Sequence, residues 1–231
     1  MAILKDSGDR REFESGAVRD MEIGKGRCDL LPLHECADLL KEFPIHATSI
    51  IAHSMGANGS SLIFDNIASA MSAWTQIMTL KENDFSIDAD MEAHYINEIR
   101  DLLFEVVSVY LFFDYYCECT ENIFETTTLY DWVIMLNKDN PDNKEEALER
   151  ALKIIPSDAI LSLAKHFEDG AKKYGDRNWE KGIPFNVFMD SAVRHYLKIK
   201  REDRDEPHGR AFMWNIMCAI WTITNHGFES K

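Results

Sequence analysis

The sequence predicts an all-α fold, and three observations support this prediction. Apolar residues recur three and four positions apart in most segments after residue 32, which is the pattern of one buried helix face. Proline and glycine divide these segments into lengths that suit helices. Strand-like and helix-like patterns do not alternate along the chain, as a parallel sheet would require. We therefore expect a helical bundle.

Residues 1–28 predict an extended basic arm that precedes the helices. Glycines interrupt this stretch, and basic side chains, among them Arg19 and Lys25, make it locally positive in an acidic chain. The arm is either a solvated tail or a segment that reaches an anionic ligand or a neighbouring subunit.

The first three predicted helices follow in order. Pro32 suits the first turn of one helix, and Ser60 or Ser61 is expected to cap the next. A third helix is predicted from Met91 to about Glu118, because this segment is long and has no glycine or proline. It is apolar nearly all round after residue 102, which predicts a central, buried position.

The carboxy-terminal third predicts further helices. Glu145 to Ile154 has an amphipathic pattern, and Pro156 is expected to break that helix and to start another. Gly170 or Gly175 is expected to end the second of these. A final buried helix is predicted from Ala211 to about Thr224.

Composition limits the classes of function. The 231 residues suit one large domain or two small ones, and 45% hydrophobic residues can form a core. A net charge of −15 makes a nucleic-acid duplex a poor partner. The five scattered cysteines indicate a reducing compartment. No signal or membrane-spanning pattern is present, so we expect a soluble cytoplasmic protein with no membrane partner.

Two groups of polar residues predict metal binding or acid–base chemistry. Glu98, Asp101 and Glu105, with His94, lie on one face of the third helix, a spacing that suits Mg²⁺ or Mn²⁺ unless the face is simply solvated. The second group surrounds a charged loop between the last two helices, and histidines and carboxylates there can hold a metal or transfer protons. Its members are His195, Asp203, Asp205, Glu206 and His208, followed by Asn215.

A loop with the sequence NWEKG predicts nucleotide binding. Trp179 can stack on a base, and Asn178 can form hydrogen bonds with a base edge. Lys181 and Arg194 can pair with phosphate oxygens. The alternative is a surface turn with one buried tryptophan.

Four stretches carry a family pattern, and they read FESGAVRDMEIGKGRCDLLP, GAKKYGDRNWEKGIP, DSAVRH and HGRAFMWN. Together they resemble a phage-associated family named for dATP/dGTP diphosphohydrolase, which is grouped with the MazG-like all-α nucleotide pyrophosphohydrolases. The resemblance covers residues 29–40 and 155–231 as a split family domain, together with part of the arm. Residues 41–154 then form an inserted helical region.

The resemblance implies hydrolysis of a deoxynucleoside triphosphate, with purines favoured, to the monophosphate and pyrophosphate. It also implies Mg²⁺ or Mn²⁺ and a homo-oligomer. From the residue patterns described above together with this resemblance, we expect three sets of residues. The metal ligands are Glu98, Asp101, Glu105 and Asp205; the catalytic residues are His195, Glu206 and His208; the substrate-binding residues are Arg19, Lys25, Asn178, Trp179, Lys181, Arg194 and Asn215.

Two alternatives belong to other classes of protein. An acidic phage protein can sequester a nucleotide or block a host protein without turnover. A DNA mimic would instead carry a continuous acidic stripe and would tolerate Trp179→Ala.

Overall fold

A computed structural model describes residues 10–12, 18–20, 26–53, 59–116, 128–139 and 144–228 of this chain. These residues form seven α-helices and one short antiparallel strand pair, so the all-α prediction is confirmed. The helices are α1 (Leu33–His53), α2 (Gly59–Glu82), α3 (Ala89–Phe113), α4 (Leu129–Asp139), α5 (Lys144–Tyr174), α6 (Phe185–Lys200) and α7 (His208–His226).

The strands β1 (Arg10–Glu12) and β2 (Val18–Asp20) lie in the predicted arm. They pair in a register that places Arg11 opposite Arg19. Lys25 and residues 13–17 lie outside the described residues. The role of the arm therefore stays a prediction.

The core is built around α3 and α7, which pack against each other. Helix α3 also contacts α1, α2, α4 and α5, and α7 also contacts α1, α5 and α6. The second half of α3 is buried from Leu103 to Phe112 except for the half-buried Glu105, as its apolar sequence predicts. The side chain of Asp88 caps α3 by accepting a hydrogen bond from the backbone N–H of Met91 at 2.8 Å.

The predicted break at Pro156 is wrong, because α5 continues through it from Lys144 to Tyr174. Pro156 is buried, and Ser157 donates its hydroxyl to the carbonyl of Lys153 at 2.8 Å. Packing thus maintains a helix that loses one backbone hydrogen bond at the proline. The helix ends before Gly175, where φ is +87°, so the second of the two predicted glycine stops is confirmed.

Other boundaries differ from the sequence expectations. Helix α2 begins at Gly59, so Ser60 and Ser61 lie inside it and do not cap it. Gly59 packs closely against Phe113 of α3, and a Cβ there would lie 2.6 Å from the ring. Helix α3 ends at Phe113, before the predicted end, and α7 begins at His208, before the predicted start.

The amino-terminal segment 26–32 docks on α5. The backbone N–H of Gly26 donates to the carboxylate of Glu168 at 2.8 Å, and that of Arg27 donates to the carbonyl of Ala164 at 3.1 Å. Gly26 has a φ of +87°, and a Cβ there would lie 3.0 Å from the backbone nitrogen of Lys165. Glycine is required by this close approach.

Candidate functional site

A polar cluster lies where the loop between α6 and α7 brings their adjoining ends together. His195 of α6 lies 3.1 Å from His208 of α7, measured between the Nδ1 atoms. The Oε1 atom of Glu206 lies 3.6 Å from His195 Nδ1 and 3.5 Å from His208 Nδ1. We call these three side chains the His–His–Glu cluster.

The cluster is held by a second layer of contacts. Asp205 Oδ1 lies 2.7 Å from Nε2 of His208, and Asp205 Oδ2 lies 3.0 Å from the ammonium of Lys198. The hydrogen bonds from Lys198 and His208 lower the pKa of Asp205 to about 2. The carboxylate is therefore ionised at neutral pH and can only accept hydrogen bonds. His208, with its side chain 2% exposed, is fixed by this contact.

His195 is less enclosed than His208, with 16% of its side chain exposed. Burial lowers the pKa of His195, and the positive charges of Arg194 and Lys198 act in the same direction. Glu206 opposes them by favouring the charged imidazole. The imidazole is thus biased toward the neutral form, which is the form that binds a metal.

The donor set fits a divalent metal. Two imidazole nitrogens and one carboxylate oxygen lie 3.1–3.6 Å apart, which is about the spacing expected for ligands at roughly 2.0–2.2 Å from one ion. A second group, Asp203, Asp205 and His208, also brings ligand atoms together. The carboxylates of that group pair closely with Arg201 and Lys198, whereas Glu206 lies 3.7 Å from the amine of Lys198, so the His–His–Glu cluster is the better candidate.

An aromatic cavity of about 260 Å³ lies between α5, the NWEK turn and α7. Its walls are mostly apolar, and Asn178 and Arg177 contribute polar groups. The lining residues are Leu30, His166, Phe167, Gly170, Ala171, Tyr174, Gly175, Arg177, Asn178, Trp179, Ile183 and Trp214. We call this space the aromatic cavity.

His166 connects the aromatic cavity to the cluster. It lines the cavity and its ring centroid lies 5.9 Å from that of Trp214. Burial lowers the pKa of His166, and the nearby charges of Arg210 and His195 lower it further. The charge of Glu206 acts on the pKa of His166 in the opposite direction, so the charges of the cluster influence a residue that lines the cavity.

Trp179 is placed differently from the sequence prediction. It is 4% exposed and packs edge-on against Phe167 and Trp221, with ring centroids 5.6 and 4.7 Å away. An open stacking platform for a base is therefore not formed by this ring. Its indole Nε1–H is buried and has no hydrogen-bond partner, although the residue lines the cavity.

The other predicted substrate residues are dispersed. Asn178 lines the cavity, whereas Lys181 is exposed outside its lining. Arg194 is exposed and pairs with Asp190 on its own helix. Asn215 is buried and donates to the carbonyl of Ala211 at 2.7 Å, which satisfies its amide within α7.

The acidic face of α3 does not join the cluster. Within the described ranges, Glu98, Asp101 and Glu105 take part in no group of three metal-ligating side chains. Glu98 and Asp101 are exposed, and Glu105 is half-buried. Of the four predicted metal ligands, the structure brings only Asp205 to the cluster, where it contacts His208.

Residues 139–231 match a family model described as dATP/dGTP diphosphohydrolase, N-terminal. The predicted family resemblance is confirmed for this segment. This matched segment, which we call the diphosphohydrolase segment only after the name of the family model, contains α5, α6 and α7, and therefore both the His–His–Glu cluster and most of the aromatic cavity. Its family name indicates a hydrolase, and the all-α bundle is consistent with the MazG-like group. No curated protein and no solved structure matches the chain.

Sequence reasoning missed three residues of this region. His166, Trp214 and Arg210 were not assigned to a site, because their patterns fit ordinary helix faces. His166 was detectable only as a polar residue beside the apolar stripe of α5.

Within the described residues, no helix combines the length and apolar character that a membrane-spanning segment needs.

Proposed function

We propose that this protein hydrolyses a purine deoxynucleoside triphosphate to the monophosphate and pyrophosphate with a divalent metal. The observation that carries the proposal is the presence of the His–His–Glu cluster and most of the aromatic cavity within the diphosphohydrolase segment. An apolar cavity suits a base, and a cluster that holds a cation suits a polyphosphate.

The base is proposed to occupy the aromatic cavity. Phe167 and Trp214 offer apolar walls, and the amide of Asn178 can bind a polar base edge. The unpartnered indole N–H of Trp179 offers a donor to a base nitrogen or carbonyl. Trp179 thus binds through its N–H and its packing, which replaces the stacking role expected from the sequence.

The phosphates are proposed to extend from the cavity toward the cluster. The charges of Arg210 and His195 act on His166, which lines the cavity, and Arg194 precedes His195 in the chain. Arginine forks bind phosphate oxygens and stabilise the charge that develops on them. Their positive charge also offsets repulsion between the substrate and an acidic protein.

A divalent ion held by His195, Glu206 and His208 would polarise a phosphoryl oxygen and lower the pKa of water. His166 stays neutral at pH 7 because burial lowers its pKa. We assign it the acceptance of a proton from the attacking water.

Purified protein incubated with each deoxynucleoside triphosphate, with and without Mn²⁺, tests the proposal. Separation of the products by ion exchange should give the monophosphate and pyrophosphate from dATP or dGTP. The Glu206→Gln variant should lose this activity, and Glu149→Gln on the exposed face of α5 is the matched control. Binding of nucleotide without pyrophosphate release would overturn hydrolysis and favour sequestration.

A further inference from the structure

The His–His–Glu cluster differs in chemistry from the carboxylate sets that hold Mg²⁺. It offers two imidazole nitrogens and a single carboxylate oxygen, whereas Mg²⁺ prefers oxygen ligands and retained waters. Imidazole ligands suit Zn²⁺, Cu²⁺, Fe²⁺ and Ni²⁺, whereas carboxylate and water ligands suit Mg²⁺ and Mn²⁺. The identity of the donors therefore selects a class of metal.

The position of the proton on His208 strengthens this point. Asp205 Oδ1 lies 2.7 Å from Nε2 of His208, and because a carboxylate oxygen accepts in such a contact, Nε2 carries the hydrogen. In the neutral ring, Nδ1 then presents a lone pair toward His195 and Glu206. That lone pair faces His195 Nδ1 at 3.1 Å and Glu206 Oε1 at 3.5 Å, so it either accepts a hydrogen from His195 or, together with Glu206, binds a cation.

The contacts also separate the roles of the two adjacent carboxylates. Asp205 is occupied on both oxygens, by His208 and by Lys198. Glu206 is 45% exposed, and its nearest basic groups lie 3.5–3.7 Å away. Glu206 is thus available to a cation, whereas Asp205 is placed to orient the ring of His208.

We propose that His195 Nδ1, His208 Nδ1 and Glu206 Oε1 form a transition-metal centre in which Asp205 is a positioning residue. The centre takes a Zn²⁺- or Co²⁺-class ion in preference to Mg²⁺, with its remaining positions open to water or to a phosphate oxygen. The inference deepens the proposed function and concerns the same site. It replaces the sequence expectation that Asp205 itself ligates the metal.

Titration of the full-length protein with Co²⁺, after removal of bound metal with a chelator, tests the centre by visible absorption. We expect a single ion for each chain, a d–d spectrum typical of nitrogen and oxygen ligands, and displacement by Zn²⁺ but not by an equal concentration of Mg²⁺. Glu206→Gln should lower the Co²⁺ affinity by at least about tenfold, and Asp205→Asn by about 10–100-fold. Asp205→Glu should partly restore it.

Matched controls keep the test decisive. His34→Ala and Glu149→Gln remove an exposed imidazole and an exposed carboxylate elsewhere, and both should bind Co²⁺ as the unmodified protein does. Because His208 is buried and its replacement can disturb the fold, His195→Asn is the variant that tests the histidine ligands. Circular dichroism verifies that each variant folds. Failure of the unmodified protein to bind Co²⁺ or Zn²⁺, or equal binding by Glu206→Gln, would overturn the centre.

The metal measurement is independent of hydrolysis. Metal binding without pyrophosphate release would leave the centre standing and remove the proposed function. Hydrolysis supported by Mg²⁺ in a protein that binds no Co²⁺ or Zn²⁺ would remove the centre and leave the function.

Discussion

Two acidic regions of the molecule both have sequences that predict a metal site, but their side chains are arranged differently in the structure. The α3 face with Glu98, Asp101 and Glu105 has ideal helical spacing, yet its carboxylates join no metal-ligating group in the described chain. The loop from Asp203 to His208 has no periodicity, yet its side chains converge with His195 of α6. A regular spacing aligns side chains along one face, whereas a metal needs donors that approach from several directions.

The largest expected effect separates these two regions by activity. Glu206→Gln should reduce pyrophosphate release by about 10²–10⁴-fold, the range typical of an essential acid–base or metal-holding group. Glu98→Gln should change the rate far less. The measurement is the initial rate with dATP and dGTP at saturating metal. A comparable loss in Glu98→Gln would indicate that the α3 face belongs to the site, for example across the interface of a homo-oligomer.

The second largest expected effect concerns the packing of α7 on α3, which places His208 in the cluster. A Cβ at Gly209 would lie 2.4 Å from the hydroxyl of Tyr110 on α3, so Gly209→Ala should lower the free energy of unfolding by about 1–3 kcal/mol. It should also weaken Co²⁺ binding, because α7 must shift to relieve the contact. Urea unfolding and Co²⁺ titration measure the two effects.

Gly170 provides the comparison for that variant. Nothing lies within 4 Å of a Cβ built there, and Gly170 is inside α5. Gly170→Ala should raise stability by about 0.5–1 kcal/mol, since glycine costs helix stability. A stable Gly209→Ala protein would contradict the close packing of α7 on α3.

A smaller effect concerns the docking of the amino-terminal segment 26–32 on α5 of the diphosphohydrolase segment. Gly26→Ala combines a φ of +87° with a Cβ 3.0 Å from the backbone of α5, and should cost about 1–2 kcal/mol. In the Gly26→Ala variant, the backbone amide of Arg27, which donates to the carbonyl of Ala164, should exchange its hydrogen faster than in the unmodified protein. Unchanged exchange there would contradict docking of this segment on α5.

The smallest expected effect is a pH dependence of stability from His166. Burial lowers its pKa in the folded state, so the unfolded chain binds more protons as the pH falls below about 6.5. The stability contributed by the neutral ring is present above that pH and is lost as the pH falls through the lower folded pKa. The charged and titratable groups acting on it are Arg210, His195, Asp169 and Glu206.

Replacement of His166 by glutamine measures this contribution. The difference in melting temperature between pH 7.5 and pH 5.5 should be smaller for His166→Gln than for the unmodified protein. His46→Gln on α1, for which burial is only partial, is the control. An equal pH dependence in His166→Gln and in the unmodified protein would show that other groups govern acid stability.

Much of the fold follows from local sequence. The apolar run in α3 predicts its burial, and Gly175 predicts the end of α5, because period and backbone freedom act within a few residues. Pro156 shows the limit of that reasoning. Its local preference is to break a helix, but tertiary packing of a buried proline outweighs the lost hydrogen bond.

The candidate site was predictable in its residues but not in their roles. His195, Glu206 and His208 stand out in the sequence because titratable groups flank one loop. The sequence does not separate the role of Asp205 from that of Glu206. Their roles depend on which of the two carboxylates lies closer to the amine of Lys198, and that is Asp205. The aromatic cavity was also hidden, since Phe167 and Trp214 look like ordinary core residues on two distant helices.

The sequence by itself determined the helical class, the family resemblance that residues 139–231 confirm, and the residues that could carry chemistry. These follow from composition, periodicity and motif order, which are properties of neighbouring residues. Only the tertiary structure decided that the His–His–Glu cluster forms at the α6–α7 loop and that Trp179 is buried. The distances between donors and the exposure of a ring depend on how helices pack, and that packing is fixed by contacts between segments far apart in the chain.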